Sequence, residues 1–201
     1  MITKPKLLLA TFNQGKIREY RSLLAGIPYE IVTPADCSIA KEVAENGKTF
    51  EENAILKATA MASLSCFLTL ADDSGLEADA LGGEPGVRSA RYAGEKAGDA
   101  ENIKALLERL KTSPDRHRTA QFRCVIAIAE PHGKVELFSG VCQGMVIDEP
   151  RGKHGFGYDP VFYIPELKKT MAELKPEEKN LLSHRARAAE KAREWLINRV
   201  G

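Results

Sequence analysis

Two adjacent acids, Asp72 and Asp73, stand between an apolar run and a Ser-Gly pair in the stretch "FLTLADDSGLEADALGG". Consecutive strand residues point to opposite faces, so one carboxylate could hold a metal while the other fixes a turn through backbone N–H groups. Mg²⁺ suits this arrangement, since it usually takes one or two carboxylates together with substrate phosphates. The alternative is a capped surface turn, in which Ser74-Gly75 turns the chain at once.

A second acid near the pair would decide between these two interpretations. Glu42 and Glu45 are the candidates, because they come just before the segment "TFEE", which has the form of a helix-capping box. The sequence alone does not choose between the two glutamates.

The segment "ATFNQGK" (10–16) has the properties of a phosphate cradle. A strand delivers Thr11 and Asn13 to a turn, and Gly15 permits close approach of the backbone. Lys16 comes near a helix N-terminus, where free N–H groups and the helix dipole favour an anion. The loop is too short for a Walker A motif. The alternative is an ordinary strand-to-helix turn with a solvated lysine.

The segments "GFGYDP" (155–160) and "SHRARA" (183–188) could recognise a planar base. Phe156 and Tyr158 alternate with glycines, so an aromatic face could be available for stacking. His184 and Arg185 supply hydrogen-bond donors for base edges. Taken singly, the aromatic residues are more typical of core residues in a loop, and the His-Arg pair of a solvated helix start.

Strands alternating with helices, followed by a hairpin, must position these residues. Apolar runs predict strands at 6–10, 29–33 and 67–71, and alternation predicts a hairpin at 120–128 and 135–139. Helical spacing predicts helices at 16–25, 50–64, 99–110 and 177–200. This pattern indicates an α/β fold with a mixed sheet.

Composition excludes some classes of protein. The chain has 201 residues and a net charge of +1, so a general nucleic-acid partner is not expected. No apolar run reaches the ~18 residues of a membrane span, and the first apolar segment is too short for a signal peptide. The 4 cysteines show no metal-binding spacing and are typical of reduced thiols. We therefore expect a cytoplasmic protein.

Several motifs stand in one order across nearly the whole chain. They are "TFNQGK", "TFEENAILKA", "ADDSGLEADALGGEPGVRSARYAG", "HGFGYDPVFYIPE", "KTMAEL" and "EEKNLLSHRARA". Together they resemble the inosine triphosphate pyrophosphatase family, also called XTP/dITP diphosphatases, and in particular its bacterial branch. The long block at 71–94 is the most specific of them.

The resemblance implies hydrolysis of dITP, ITP and XTP between the α- and β-phosphates, which removes deaminated purines from the nucleotide pool. It implies Mg²⁺ dependence, a homodimer and one pyrophosphatase domain over 1–201. It also implies a mixed, elongated central sheet flanked by helices, in two lobes with the active site in the cleft between them.

The resemblance also assigns residues by position. Asp73 would be the metal ligand and the base for the attacking water. Substrate would be bound by Thr11, Phe12, Asn13, Gln14, Gly15, Lys16, Ser74, Phe156, Gly157, Tyr158, Asp159, Lys179, His184 and Arg185. Many family members carry a second metal ligand three residues before the glycine at Gly47, where this chain has Ala44. Glu45 is therefore the expected second ligand, with Glu42 as the alternative.

Three other functions fit parts of the pattern. A pyrophosphatase for another modified nucleotide would not be expected to carry both "GFGYDP" and "SHR". A non-catalytic nucleotide sensor would keep the phosphate loop and lose the catalytic acid, which is present here as Asp73. A nucleic-acid-binding module is disfavoured by the near-neutral charge.

Overall fold

The computed structural model describes residues 4–40 and 42–199. The strands of this part of the chain are β1 (Lys6–Leu9), β2 (Glu30–Val32), β3 (Leu68–Ala78), β4 (Thr119–Ala129), β5 (Val135–Val146), β6 (Phe162–Ile164) and β7 (Lys169–Thr170). Its α-helices are α1 (Gln14–Leu23), α2 (Phe50–Ser65), α3 (Asp99–Thr112), α4 (Pro176–Leu182) and α5 (His184–Asn198).

The strands form a 7-stranded sheet in the order β2-β1-β3-β4-β5-β6-β7. β1 runs parallel to both β2 and β3, with Leu8 opposite Val32 on one side and Thr69 on the other. β6 runs antiparallel to β5 and β7. The sheet is therefore mixed and flanked by helices, which confirms the predicted fold class.

Two helices begin with side-chain caps, of which the sequence predicted the one at Thr49. Oδ1 of Asn13 accepts a hydrogen bond from the Lys16 backbone N–H at 3.0 Å, which starts α1. Oγ1 of Thr49 accepts one from Glu52 N–H at 3.1 Å, which starts α2. Each cap satisfies a backbone donor that the first helical turn leaves unpaired.

The chain divides into two compact units. Unit 1 contains Met1–Asp73, Cys124–Gly140 and Arg185–Gly201, and unit 2 contains Ser74–Arg123 and Val141–His184. Each unit has its own apolar core. In unit 1 the core includes Leu7, Leu9, Tyr20, Leu70, Ile126 and Leu196. In unit 2 it includes Leu76, Leu106, Phe122, Phe162 and Met171.

The structure corrects the predicted turn at Ser74-Gly75. β3 continues from Leu68 through both acids and both of these residues to Ala78. The glycine serves close packing instead of a turn, because a Cβ at Gly75 would lie 2.4 Å from the carbonyl oxygen of Gly86 and from Oγ of Ser89. Turn-forming composition was thus a misleading signal at this position.

The structure also corrects the single C-terminal helix predicted at 177–200. Ser183 adopts an extended conformation (φ −65°, ψ 158°) and separates α4 from α5. Helix-forming composition on both sides conceals this break. The predicted end at Val200 lies outside the described residues.

Among the described residues, no helix is both long enough and apolar enough to cross a bilayer.

Candidate active site

The loop after β1 places Lys16 next to Asp72. Leu9 pairs with Leu70 in the parallel β1–β3 ladder, so this loop begins beside the acidic part of β3. Nζ of Lys16 lies 2.9 Å from Oδ1 of Asp72. In the loop itself, Thr11 and Phe12 are half-buried, Asn13 and Gln14 are exposed, and Gly15 is buried. The predicted phosphate loop therefore presents exposed residues at the N-terminus of α1.

Asp72 is a buried carboxylate surrounded by cations. Besides Lys16, it lies 3.4 Å from Nη2 of Arg185, whose Nη1 lies 2.7 Å from Glu19. Burial alone would raise the pKa of Asp72, but Lys16, Arg185 and Lys57 outweigh it and hold that pKa well below its usual range. Asp72 therefore stays ionised and holds Lys16, which is a different role from fixing a turn.

Asp73 points to a second group of residues. Its Oδ2 accepts a hydrogen bond from Nδ2 of Asn53 at 3.0 Å, and its Oδ1 lies 3.3 Å from Nζ of Lys57. Burial, reinforced by Glu45, raises the pKa of Asp73 against the opposing effect of Lys57. Asn53 and Lys57 are four residues apart on one face of α2, which explains how both reach the same carboxylate.

Glu45 belongs to this second group and Glu42 is exposed. Nζ of Lys57 lies 2.9 Å from Oε1 of Glu45 and 2.6 Å from the Asp72 carbonyl oxygen. The backbone near Glu45 is held in turn, because Gly47 N–H donates to Oδ1 of Asn53 at 2.8 Å. The Lys57 ammonium thus contacts the carboxylates of Glu45 and Asp73 and the carbonyl of Asp72.

The oxygen atoms of this group are of the kind that Mg²⁺ prefers as ligands. They are two carboxylates and a carbonyl, and in this structure the Lys57 ammonium supplies the positive charge among them. In the described part of the chain, no cluster of three or more His, Cys, Asp or Glu side chains could hold a metal. Two carboxylates are nevertheless sufficient for Mg²⁺, which usually completes its shell with water and substrate phosphates.

In unit 2, the loop that contains Phe156 is built around Asp159. Oδ2 of Asp159 accepts from the Phe156 N–H at 2.9 Å and lies 2.5 Å from Nζ of Lys179. Gly155 has φ +77°, and a Cβ there would lie 1.9 Å from the same oxygen. Asp159 and Lys179 are both buried, so this ion pair is a fixed part of the loop.

The two aromatic residues of this loop have different surroundings. Phe156 is half-buried, with Nζ of Lys179 4.9 Å from its ring centroid. Tyr158 is buried, and its hydroxyl donates to the Ser89 carbonyl at 2.8 Å. Burial raises the pKa of Tyr158 well above its ordinary value. Phe156 is therefore the less buried of the two aromatic side chains, while Tyr158 anchors the loop.

His184 and Arg185 are adjacent in sequence but contact different partners. The His184 ring stacks on Phe122, with centroids 4.7 Å apart and planes at 17°. Arg185 is 2% exposed and pairs with Asp72 and Glu19.

Of the remaining predicted residues, Ser74 is half-buried on β3 and Gly157 is half-buried in the Phe156 loop.

Sequence reasoning missed Asn53, Lys57 and Glu19. Asn53 and Lys57 could have been found from the sequence, because they are four residues apart on the apolar face of α2. Polar side chains on a buried helix face need hydrogen-bond partners. Glu19 had no such signal, since a glutamate in the middle of α1 is typical of an exposed helix face.

Comparisons with known proteins place the chain in a family. The model of the Ham1 family matches residues 7–195. The chain is 52% identical to the dITP/XTP pyrophosphatase of Desulforamulus reducens over 97% of this chain and 96% of that protein. It is 51% identical to the dITP/XTP pyrophosphatase of Geobacillus kaustophilus over 98% and 96% of the two chains.

Two solved structures have the same fold. The Ham1 protein of Coxiella burnetii superposes with a TM-score of 0.89 at 43% identity, covering 96% of this chain and 99% of that one. The Staphylococcus aureus Ham1 protein gives a TM-score of 0.85, also at 43% identity and with coverage of 96% and 99%. The resemblance seen in the motifs is confirmed, and the chain belongs to the Ham1 family.

Proposed function

We propose that this chain hydrolyses dITP, ITP and XTP to the monophosphate and pyrophosphate. The observation that carries the proposal is the convergence of Asp73, Glu45 and Lys57 beside the loop that holds Lys16. This arrangement provides carboxylates for a metal and cations for phosphates. It is supported by the names of relatives that are about half identical to the chain over almost its whole length.

The triphosphate is bound at the N-terminus of α1. Free backbone N–H groups and the helix dipole attract an anion there, and Lys16 adds a positive charge. Asp72 holds that lysine in place through a 2.9 Å ion pair. These groups stabilise charge that develops on the leaving pyrophosphate.

Asp73 and Glu45 would hold Mg²⁺, which neutralises phosphate charge and makes a bound water more acidic. Asp73 orients the attacking water and accepts its proton. The Asn53 amide and the Lys57 ammonium fix the orientation of the Asp73 carboxylate. A nucleophile held in this way needs no further ordering at the moment of reaction.

The base is held by Phe156 and selected by hydrogen-bond donors. Stacking on Phe156 tolerates every purine, because every purine has a π-face. His184 and Arg185 are the proposed donors to the 6-oxo group of hypoxanthine and xanthine. A 6-amino group opposite them would leave both sides unpaired, which is costly in a buried site.

The same proposal makes the enzyme a Mg²⁺-dependent cytoplasmic homodimer that acts on free nucleotides, with no nucleic-acid or membrane partner. The spacing of the 4 cysteines is typical of reduced thiols, which favours a reducing compartment. The alternatives are a pyrophosphatase for another modified nucleotide and a non-catalytic nucleotide sensor.

One assay separates these possibilities. Pyrophosphate and monophosphate are measured after incubation with dITP or dATP, in Mg²⁺ or in EDTA. We expect dIMP and pyrophosphate in equal amounts from dITP in Mg²⁺ and none in EDTA. If no product forms, calorimetry with dITP separates the alternatives: binding would identify a sensor, and no binding would indicate another modified nucleotide.

A further inference from the structure

The peptide that joins Phe156 to Gly157 is held from outside its own loop. The Gly157 N–H donates to Oδ2 of Asp99 at 2.6 Å, across 58 positions in the sequence. Gly157 has φ +61°, in the left-handed region. The Asp99 carboxylate therefore fixes the plane of this peptide. Without that hydrogen bond, the glycine backbone could adopt other conformations.

Asp99 is the first residue of α3, and its own position is stabilised by that helix. A carboxylate in the first turn of a helix is stabilised by the helix dipole. Three residues further along α3, the Asn102 side chain accepts from Ala93 N–H at 2.9 Å and donates to the Ala90 carbonyl at 3.2 Å. The beginning of α3 is thus fixed to the segment before it.

That segment provides the other anchor of the Phe156 loop. Ser89 lies in the 3-10 turn Gly86–Arg91 and accepts the hydrogen bond from the Tyr158 hydroxyl at 2.8 Å. Asn102 ties the end of this turn to α3. The helix therefore supports the loop directly at Gly157, through Asp99, and indirectly at Tyr158, through Ser89.

We propose that Asp99 is a positioning residue for purine recognition, acting through the Phe156–Gly157 peptide. The inference rests on the proposed function, in which Phe156 stacks on the base. Because Phe156 belongs to that peptide, a change in the orientation of the peptide plane moves the ring. The Gly157 N–H is directed at Asp99, so it is not the donor that selects a 6-oxo group.

The test compares Asp99→Ala and Asp99→Asn with a matched control, Glu101→Ala. Glu101 is in the same helical turn, and its Oε2 accepts from the Gly98 N–H at 2.7 Å without contacting the loop. In Asp99→Ala we expect the KM for dITP to rise about three- to tenfold, with kcat within about twofold of the wild type. Asp99→Asn retains a carbonyl acceptor and should recover part of this loss. Glu101→Ala should lower Tm comparably and leave KM unchanged.

An unchanged KM in Asp99→Ala, or an equal rise in Glu101→Ala, would overturn the inference. A second measurement, hydrogen exchange of the Gly157 amide, does not depend on turnover or on which nucleotide is the substrate. Exchange should be at least about tenfold faster in Asp99→Ala than in the wild type, and equal exchange would also overturn it. If the wild type fails to hydrolyse dITP while this exchange difference is found, the proposed function is wrong, but the hydrogen bond from Gly157 to Asp99 is confirmed. If Asp99→Ala does not fold, Asp99→Asn is compared with Glu101→Ala by the same two measurements.

Discussion

Oδ1 of Asp73 and the ammonium of Lys57 lie 3.3 Å apart, and the same ammonium lies 2.9 Å from Oε1 of Glu45. Two carboxylates this close to one another would repel without a cation between them. Lys57 is almost fully buried, yet the carboxylates raise its pKa against the effect of burial, so it stays charged. The site therefore holds a charged ammonium between the carboxyl groups of Asp73 and Glu45.

The roles of the two adjacent aspartates should separate on mutation. Asp73→Asn should bind nucleotide and lose about 10²- to 10⁴-fold in kcat, because an amide is a poor metal ligand and cannot accept the proton. Turnover and dITP binding are measured on the same preparation. Near wild-type turnover would show that Asp73 is not the base.

Asp72→Asn is the matched variant for that experiment. It replaces the buried negative charge between Arg185 and Lys16 by a neutral amide, so we expect a loss of about 3 kcal/mol in the free energy of unfolding. Urea denaturation measures this loss. Wild-type stability in Asp72→Asn would contradict a structural role for Asp72.

The second metal ligand is tested by Mg²⁺ titration. Glu45→Gln should raise the Mg²⁺ concentration that gives half-maximal activity by about tenfold or more, since a neutral amide replaces a charged oxygen. Glu42→Gln is the control, because Glu42 is exposed. The opposite order of effects would assign the ligand to Glu42.

Lys16 should act on the phosphates and not on the base. Lys16→Ala is expected to weaken dITP binding by about tenfold or more and leave deoxyinosine binding almost unchanged, since only the triphosphate carries charge. Arg18→Ala, an exposed change on the same helix, is the control. Calorimetry with both ligands measures the difference, and equal losses for the two ligands would place Lys16 outside the phosphate site.

Arg185 should be important for folding as well as for any contact with the base. Arg185→Ala removes the buried partner of Asp72 and Glu19, so we expect a loss of about 3–5 kcal/mol in stability. Arg187→Ala changes an exposed arginine two positions away and serves as the control. If denaturation midpoints of the two variants agree, the buried network does not stabilise the fold as described.

Local patterns were enough for much of the fold. The cap at Thr49 predicted the start of α2, and alternating residues predicted the strands joined by the turn at 130–134, where Glu130 N–H bonds to the Lys134 carbonyl at 3.0 Å. These features depend on neighbouring residues, so they can be read from a short window of sequence. Local patterns left both Glu42 and Glu45 as partners for Asp73, and only the family resemblance favoured Glu45.

The remaining features depend on contacts between distant segments. Gly75 looked like a turn residue because its packing partners, Gly86 and Ser89, come more than ten positions later. Likewise, the pairing of Glu19 with Arg185 joins two helices at opposite ends of the chain. No local pattern encodes such contacts, so sequence reasoning identified chemical groups more reliably than their partners.

The most direct test of the central claim is the ratio of kcat/KM for dITP to kcat/KM for dATP, measured with purified wild-type protein in Mg²⁺. Donors directed at a 6-oxo group should favour dITP by at least about 100-fold, because dATP leaves those donors unpaired. A ratio near one would contradict the account, since the chain would then be a pyrophosphatase that does not distinguish deaminated purines.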